Sequence, residues 1–426
     1  MFVPTKEFLR FLNQLDVKHH VGSLREQDSA WQEAAVGPRR GLAHAMARVL
    51  VAALNYRLFW APRKGDFAEV VSVAFSKNQH NALAPVVEQL TLRGVSTRHW
   101  ELSKSRPTAY FDFGVRLFAG WKTIAFLIKQ PGARAVGRSF DQDVYRLYRN
   151  AWHLWKGLTR MVPKYVLLSS DHQLSCLLLA SMAAYRGICS GYVQHAHVTS
   201  NFPCPRYFTH YFLDGEVALR TYTNLQNGTG PAPRLIAVGP ARYERRGAKT
   251  VDWGVPQVRR QVGIGMDLAC TLLTENDVRV LARYPVEFNI RFHPRTKPAK
   301  KSAVISLFSK EGVCVTDFPQ ESSEAFIAQS DAIITGTSSI TLDAAFQGVP
   351  SLILRNRRDY YGFIREGLAI QVEALPGSFA ELSQMIAHST FTEVLPAYFR
   401  KPAQRELPSE QIARYVVDAM AIGAKG

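Results

Sequence analysis

Short apolar runs of strand length alternate with stretches of helix length along most of this chain, and that alternation restricts it to parallel sheets covered by helices on both faces. Glu69–Phe75 (EVVSVAF) is a buried strand, His80–Leu92 a helix closed by Gly94, and Val95–Trp100 the next strand. Asp141–Leu158 is a long helix, Tyr165–Ser169 a strand, Gln173–Tyr185 a helix ended by Gly187, and Gly191–Gln194 and Tyr211–Asp214 are further strands. Thr221–Pro233, rich in Asn, Gly, Thr and Pro, is a linker. Beyond it the alternation resumes with strands at Arg234–Val238, Glu287–Phe292, Val313–Val315, Ala332–Thr335 and Ser351–Leu354, and helices at Glu275–Arg283, Ser322–Gln329 and Thr341–Gln347. The expected fold class is α/β, with two doubly wound, Rossmann-like domains facing a central cleft and an N-terminal helical extension formed by Lys6–Leu15 and Gly41–Leu58. The expected domains are 1–228, 229–390 and a helical segment 391–426, whose helix Ser409–Ala421 packs back on the first. A chain of 426 residues, 47% of them hydrophobic, is large enough for two cores.

Several classes are excluded. Lys6 and Arg10 break up the N-terminus, so no signal-peptide pattern is present. Gly41–Pro62 is interrupted by Arg48 and Arg57, and Leu117–Leu127 is too short to span a bilayer and carries Lys122. Five cysteines form no C-x-x-C pair, which argues against a disulfide framework and a structural zinc. A cytoplasmic location is therefore expected. The formal net charge of +17 implies attraction to a polyanion, whether nucleic acid, an anionic membrane leaflet, an acidic polymer or a phosphorylated substrate. No basic stripe, recognition helix or aromatic-basic motif points to nucleic acid, so none is expected as a partner. An anionic inner-leaflet membrane surface is the expected attraction, placing the protein peripherally at the inner membrane.

Two motifs at strand ends carry chemistry in the second half. Ile333–Thr335 runs into Gly336-Thr337-Ser338-Ser339, which opens the helix before Gly348-Val349-Pro350. A helix start offers unpaired N–H groups, hydroxyls add donors and Gly336 allows close approach, so the turn is a phosphate seat. The simpler alternative is that Ser338 or Ser339 only caps the helix. In Asn289-Ile290-Arg291-Phe292-His293-Pro294-Arg295, Pro294 stops the strand and leaves His293 at its mouth. His293 donates to a phosphate oxygen there, and Arg291 or Arg295 adds positive charge.

Together these residues resemble the nucleotide-binding half of bacterial GT-B glycosyltransferases of surface polysaccharide synthesis, above all the cytidine-linked sialyl and Kdo transferases. The resemblance covers roughly 239–368. It implies that His293, Ser338 and Ser339 grip the nucleotide phosphate and that Asp343, where Glu is commoner, holds the ribose. In the first half, Tyr211-Phe212-Leu213-Asp214-Gly215-Glu216 resembles the acidic-acidic-Gly motif of bacterial sialyltransferases, with Leu213 in place of the first acid. Tyr192-Val193-Gln194-His195-Ala196-His197 is similar to the x-His-Gly segment of teichoic-acid polymerases, with Ala196 in place of Gly. Asp214 and His195 are thus the two candidate catalytic bases. Each also has a structural reading, as a turn cap or a hydrogen-bonded strand-end group.

The expected function is metal-independent, inverting transfer of a sugar from CMP-Kdo or CMP-sialic acid to a glycan or lipid-linked acceptor. The nucleotide sugar is a substrate, and no cofactor or metal is expected. The alternatives are a CDP-glycerol glycerophosphotransferase, a nucleotide-sugar 2-epimerase and a non-catalytic scaffold. The epimerase ranks lower because that family's acidic catalytic segments and Ser-Gly-Gly turn are not located in this sequence.

Overall fold

The computed structural model describes residues 4–17, 20–21, 46–47, 49, 58–59, 67–101, 105–106, 113–129, 140–198, 202, 205–226, 232–244, 253, 260–267, 270–293, 295–318, 323–336, 338, 340–355, 359, 362–399 and 406–423. The chain divides into two compact units, one of residues 1–244 with 402–426, the other of residues 245–401. The helix expected over Gly41–Leu58 falls almost wholly outside the described residues.

The first unit holds a six-stranded parallel sheet of order β3-β2-β5-β6-β7-β8. Its strands are β2 (Val70–Ala74), β3 (Thr97–Glu101), β5 (Tyr165–Leu168), β6 (Cys189–Val193), β7 (His210–Leu213) and β8 (Arg234–Ala237). A short antiparallel pair, β1 (Leu58–Phe59) and β4 (Ser105–Arg106), stands apart from it. The helices are α1 (Lys6–Gln14), α2 (Lys77–Leu92), α3 (Phe113–Lys129), α4 (Phe140–Met161), α5 (Leu174–Tyr185) and α6 (Glu216–Leu225). A further helix of this unit, Pro408–Gly423, comes after the second unit in the chain.

Side chains alternate across a strand, so a sheet buried on both sides needs apolar residues at every position. Val71, Val73, Val166, Leu168, Tyr192, Tyr211 and Leu213 join one core with residues of α4 and α5, while Val70, Leu167, Val193 and Phe212 join a second core on the other face. There Leu83, Val86 and Leu90 of α2 meet Ile412, Ala413 and Val416 of helix Pro408–Gly423. Ser409 fastens that helix, donating through its backbone N–H and its hydroxyl to the two Glu244 carboxylate oxygens at 2.8 and 2.6 Å.

The second unit repeats the architecture with order β11-β10-β9-β12-β13-β14. Its elements are β9 (Gln261–Gly265), α7 (Glu275–Leu281), β10 (Glu287–Arg291), α8 (Pro298–Lys310), β11 (Val315–Asp317), α9 (Ser323–Gln329), β12 (Ala332–Thr335), α10 (Ile340–Phe346), β13 (Ser351–Leu354), β14 (Ile370–Val372), α11 (Phe379–Ala387) and α12 (Phe391–Tyr398). With helix Pro408–Gly423 as α13, the sequence runs α1 to α13. The α/β class of two doubly wound parallel sheets is therefore the observed one.

Two strand expectations change. Arg234–Ala237, expected to open the second domain, pairs in parallel with β7 from His210↔Arg234 to Leu213↔Ala237, so it completes the first sheet. Strand β9, not anticipated, sits between β10 and β12 in the second sheet. Its sequence QVGIG carries two glycines that dilute a strand pattern.

Gly191 in β6 shows how close the backbones run. A Cβ there would lie 2.6 Å from the Tyr165 hydroxyl and 2.9 Å from Phe212 Cε2. The Tyr165 hydroxyl has little room to yield, since it is bonded to His210 Nδ1 at 3.0 Å. Gly191→Ala is predicted to lower stability by about 1–3 kcal/mol through overpacking, read as a reduced midpoint in urea unfolding. Gly336→Ala is the control: its added Cβ would meet only Leu272 Cδ1, at an ordinary 3.6 Å, and the midpoint should hold.

Candidate functional site

In open parallel sheets, ligands bind at the carboxyl ends of the strands, at the point where the strand order reverses. In the first unit that point lies between β2 and β5. Beyond β2, Ser76 caps α2 by accepting the Gln79 N–H, and Gln79 Oε1 accepts the Phe75 N–H at 2.7 Å. Beyond β5 come Ser169, Ser170 and Asp171, all buried. Asp171 is 1% exposed, yet it is not isolated: the Tyr222 hydroxyl of α6 donates a short bond to its Oδ2, and His172 Nδ1 lies 3.2 Å from its Oδ1. Burial and the Asp171 charge hold the Tyr222 phenol well above its ordinary range.

The next two strand ends are laced together. Gln194, one residue past β6, accepts the Asp214 N–H through Oε1 at 2.9 Å and donates to the Ala196 carbonyl at 3.0 Å. Arg242, on a single 3-10 turn (Ala241–Tyr243) after β8, donates a short bond to the His195 carbonyl and places Nη2 3.9 Å from Asp214 Oδ2. Asp214 is only 4% exposed. The two candidate bases, Asp214 and His195, thus share one guanidinium. His195 stacks on His172 with ring centroids 6.3 Å apart. Burial, with the nearby charges of His172 and Arg242, depresses the His195 imidazole to about 3, against an opposing contribution from the Ser169 backbone. At neutral pH the ring is uncharged. An anion brought against it raises its proton affinity toward the range where a base is effective.

In the second unit the order reverses between β9 and β12, which carry the ends Gly265 and Thr335. Thr335 Oγ1 donates to the Gly265 carbonyl at 3.1 Å, tying the two ends together. Ser338 is the next polar group: its Oγ accepts the Ile340 N–H at 3.3 Å and its carbonyl the Thr341 N–H at 3.2 Å. The hydroxyl oxygen therefore accepts from the first residue of α10. His293, just past β10, accepts the Arg295 N–H on Nδ1 at 3.2 Å. That bond fixes the neutral ring in the tautomer with its proton on Nε2, a donor for an oxygen ligand. Arg291, at the end of β10, loses proton affinity by burial and regains part of it from the nearby Asp343 carboxylate of α10. The structure thus brings Arg291 to Asp343 and Arg295 to His293. Pro294, Thr337 and Ser339 lie outside the described residues.

Two arginines of the second unit have defined partners. Arg260 is buried, with its guanidinium 4.3 Å from the Trp253 ring centroid. Arg355, at a φ of 53° that β-carbon sterics disfavour, makes a short bond to buried Asp277 and another to the Leu272 carbonyl at 3.2 Å. Among the described residues, no group of three or more His, Cys, Asp or Glu is placed to hold a metal ion.

Asp171, Tyr222, Gln194 and Arg242 were not singled out from the sequence. Ser169-Ser170-Asp171 carries the same strand-end signal as the other candidates and was readable. Arg242 was not, because its position depends on the placement of β8 in the first sheet.

No family model and no curated protein matches the sequence. Solved structures do match in fold. The structure of MnaA with UDP from S. aureus has a TM-score of 0.51 and 13% identity, covering 83% of this chain and 98% of that one. UDP-GlcNAc 2-epimerase from Neisseria meningitidis bound to UDP-GlcNAc has a TM-score of 0.51 and 16% identity, covering 83% and 99%. The chain therefore has a GT-B, glycosyltransferase-like fold. The same structures overturn the expected transfer from CMP-Kdo or CMP-sialic acid, since their ligands are uridine nucleotides and the named activity is 2-epimerisation. The physical reason is plain: the His-Pro and Ser-Ser features were read as phosphate contacts, and phosphates, being common to all nucleotides, do not distinguish a cytidine from a uridine donor.

The depressed His195 makes stability depend on pH. Its folded value of about 3 lies below the ordinary 6.5, so on acidification the unfolded chain binds the proton first. The contribution is complete above pH 6.5 and is lost as pH falls from there toward 3. Urea unfolding of His195→Gln at pH 7 and pH 5 should show a loss smaller than that of the unchanged protein by up to ~1.4 kcal/mol per pH unit.

Proposed function

We propose that this protein acts on a UDP-linked N-acetylhexosamine and epimerises the sugar at C2. One observation carries the reading beyond fold: Asp171, a buried carboxylate at the end of β5, is held by the Tyr222 hydroxyl and accompanied by His172. Epimerisation at C2 balances as an elimination and its reverse. One group removes the C2 proton while the electron pair forms a C1–C2 double bond and the C1–O bond to UDP breaks, and another returns a proton to the opposite face of C2 as UDP adds back at C1. In this reading Asp171, with His172, is one proton-handling set. Asp214 and His195, both held by Arg242, provide the other. A carboxylate fixed by a neighbouring phenol keeps its orientation through a cycle of proton transfer, which favours repeated pick-up and delivery.

In this reading the second unit, taken by itself, carries a nucleotide seat. Ser338, His293 through Nε2–H, and Arg295 are assigned to the phosphates, Arg291 adds positive charge, and Asp343 is assigned to the ribose. Gly336 leaves the oxygens room to approach the backbone. Proton transfer of this kind calls for no metal or redox group, and the reading assigns none. The solved structures holding UDP and UDP-GlcNAc support the choice of nucleotide and sugar class.

The test is solvent exchange. Incubated with UDP-GlcNAc in D2O, the protein should introduce deuterium at C2, seen by proton NMR. Asp171→Asn should slow that exchange by about a hundredfold or more. UDP should raise the melting temperature of both proteins, adding about 2.7 kcal/mol at a hundredfold excess over Kd. Stabilisation by CMP but not UDP, or UDP binding with no exchange, overturns the reading.

A further inference from the structure

Helix α3 has two apolar faces, and the fold uses one. Val115, Ala119, Thr123 and Leu127, spaced four apart, are buried, and the Thr123 hydroxyl is satisfied by the Ala119 carbonyl at 2.7 Å. On the opposite side Leu117, Trp121 and Ile128 are 58%, 69% and 55% exposed, with half-buried Ile124 between them. Positions 117, 121, 124 and 128 fall at helical spacing along one outward stripe. A contiguous exposed apolar patch of this kind marks an interaction surface.

The charges around the stripe select the partner. Turning 100° per residue places Lys122 and Lys129 together on one flank of the stripe, between it and the buried face. The helix contains no acidic residue, and Asp112 is the sole acid in residues 102–140. Lys122 lays its stem along Phe118, with Nζ 5.8 Å from the ring centroid, so that its charge sits at the rim of the apolar strip. We propose that α3 lies flat on an anionic lipid surface, with Leu117, Trp121, Ile124 and Ile128 among the upper acyl chains and Lys122 and Lys129 against the headgroups. Seventeen residues of helix extend about 25 Å, and an apolar face flanked by cations is the pattern of helices that lie in the interface plane. Among the described residues no helix is long and apolar enough to cross a membrane, which agrees with docking rather than insertion. A second copy of the chain fits less well, because a symmetric contact would set these cations against one another on a protein of net charge +17.

The experiment is flotation of the full chain with lipid vesicles. It should bind vesicles containing about a third phosphatidylglycerol and bind pure phosphatidylcholine, or anionic vesicles at high salt, on the order of tenfold less. Leu117→Ser, Trp121→Ser and Ile128→Ser together should reduce binding at least about tenfold with an unchanged thermal melt. Lys122→Glu with Lys129→Glu should weaken it while the apolar stripe is intact. No preference for the anionic vesicles, or undiminished binding by the triple variant, overturns the proposal. So does a dimer in size-exclusion light scattering that the triple variant converts to monomer, which would assign the stripe to a second copy.

Discussion

A parallel sheet must be covered on both faces, and everything else in this protein is arranged around that constraint. Strands apolar on both sides leave little room for chemistry within the sheet, because most side chains that leave a strand are committed to one core or the other. Polar residues are pushed to the carboxyl ends, where the chain turns from strand to helix. Asp171, His195, Asp214, His293 and Ser338 all stand within three residues of such an end. Their clustering results from the packing of Val71, Leu167 and Ile334 as much as from any requirement of a reaction.

The same constraint explains what was legible in the sequence. Strands such as Val70–Ala74 and Ala332–Thr335 announce themselves by apolar density, and a candidate such as Ser338 is legible because it stands just beyond a strand of that kind. Strand β9 escaped because close backbone packing demanded glycine at 263, where a side chain would strike Phe326 and Ser330 of the neighbouring helix region. The residue types that permit tight packing are those that erase a strand's signature. Which sheet a strand joins is also invisible locally: Arg234–Ala237 reads equally well at the close of one domain or the opening of the next, and only its pairing with β7 decides. The side-chain ties within the site, such as Arg242 to Asp214, depend on that placement and have no spacing pattern.

Electrostatics at the two sets of strand ends differ in kind. In the first unit the charged and polar groups face one another, Asp171 bonded to a phenol and Asp214 paired with a guanidinium, and a neutral imidazole lies among them. The second unit orients its groups by backbone bonds, Ser338 by the Ile340 N–H and His293 by the Arg295 N–H. The former arrangement suits groups whose protonation changes, the latter groups that hold a constant negative charge.

Helix α13 closes the outer core of the first unit, yet some 150 residues of the second unit separate it from Glu244, to which Ser409 is bonded. During synthesis the apolar side of α2, with Leu83, Val86 and Leu90, therefore stays uncovered until the whole second unit has emerged. Chain order makes the first sheet the last to be finished. A lesion that stalls the second unit would then appear as aggregation through the first, with the damage and its symptom in different halves of the molecule.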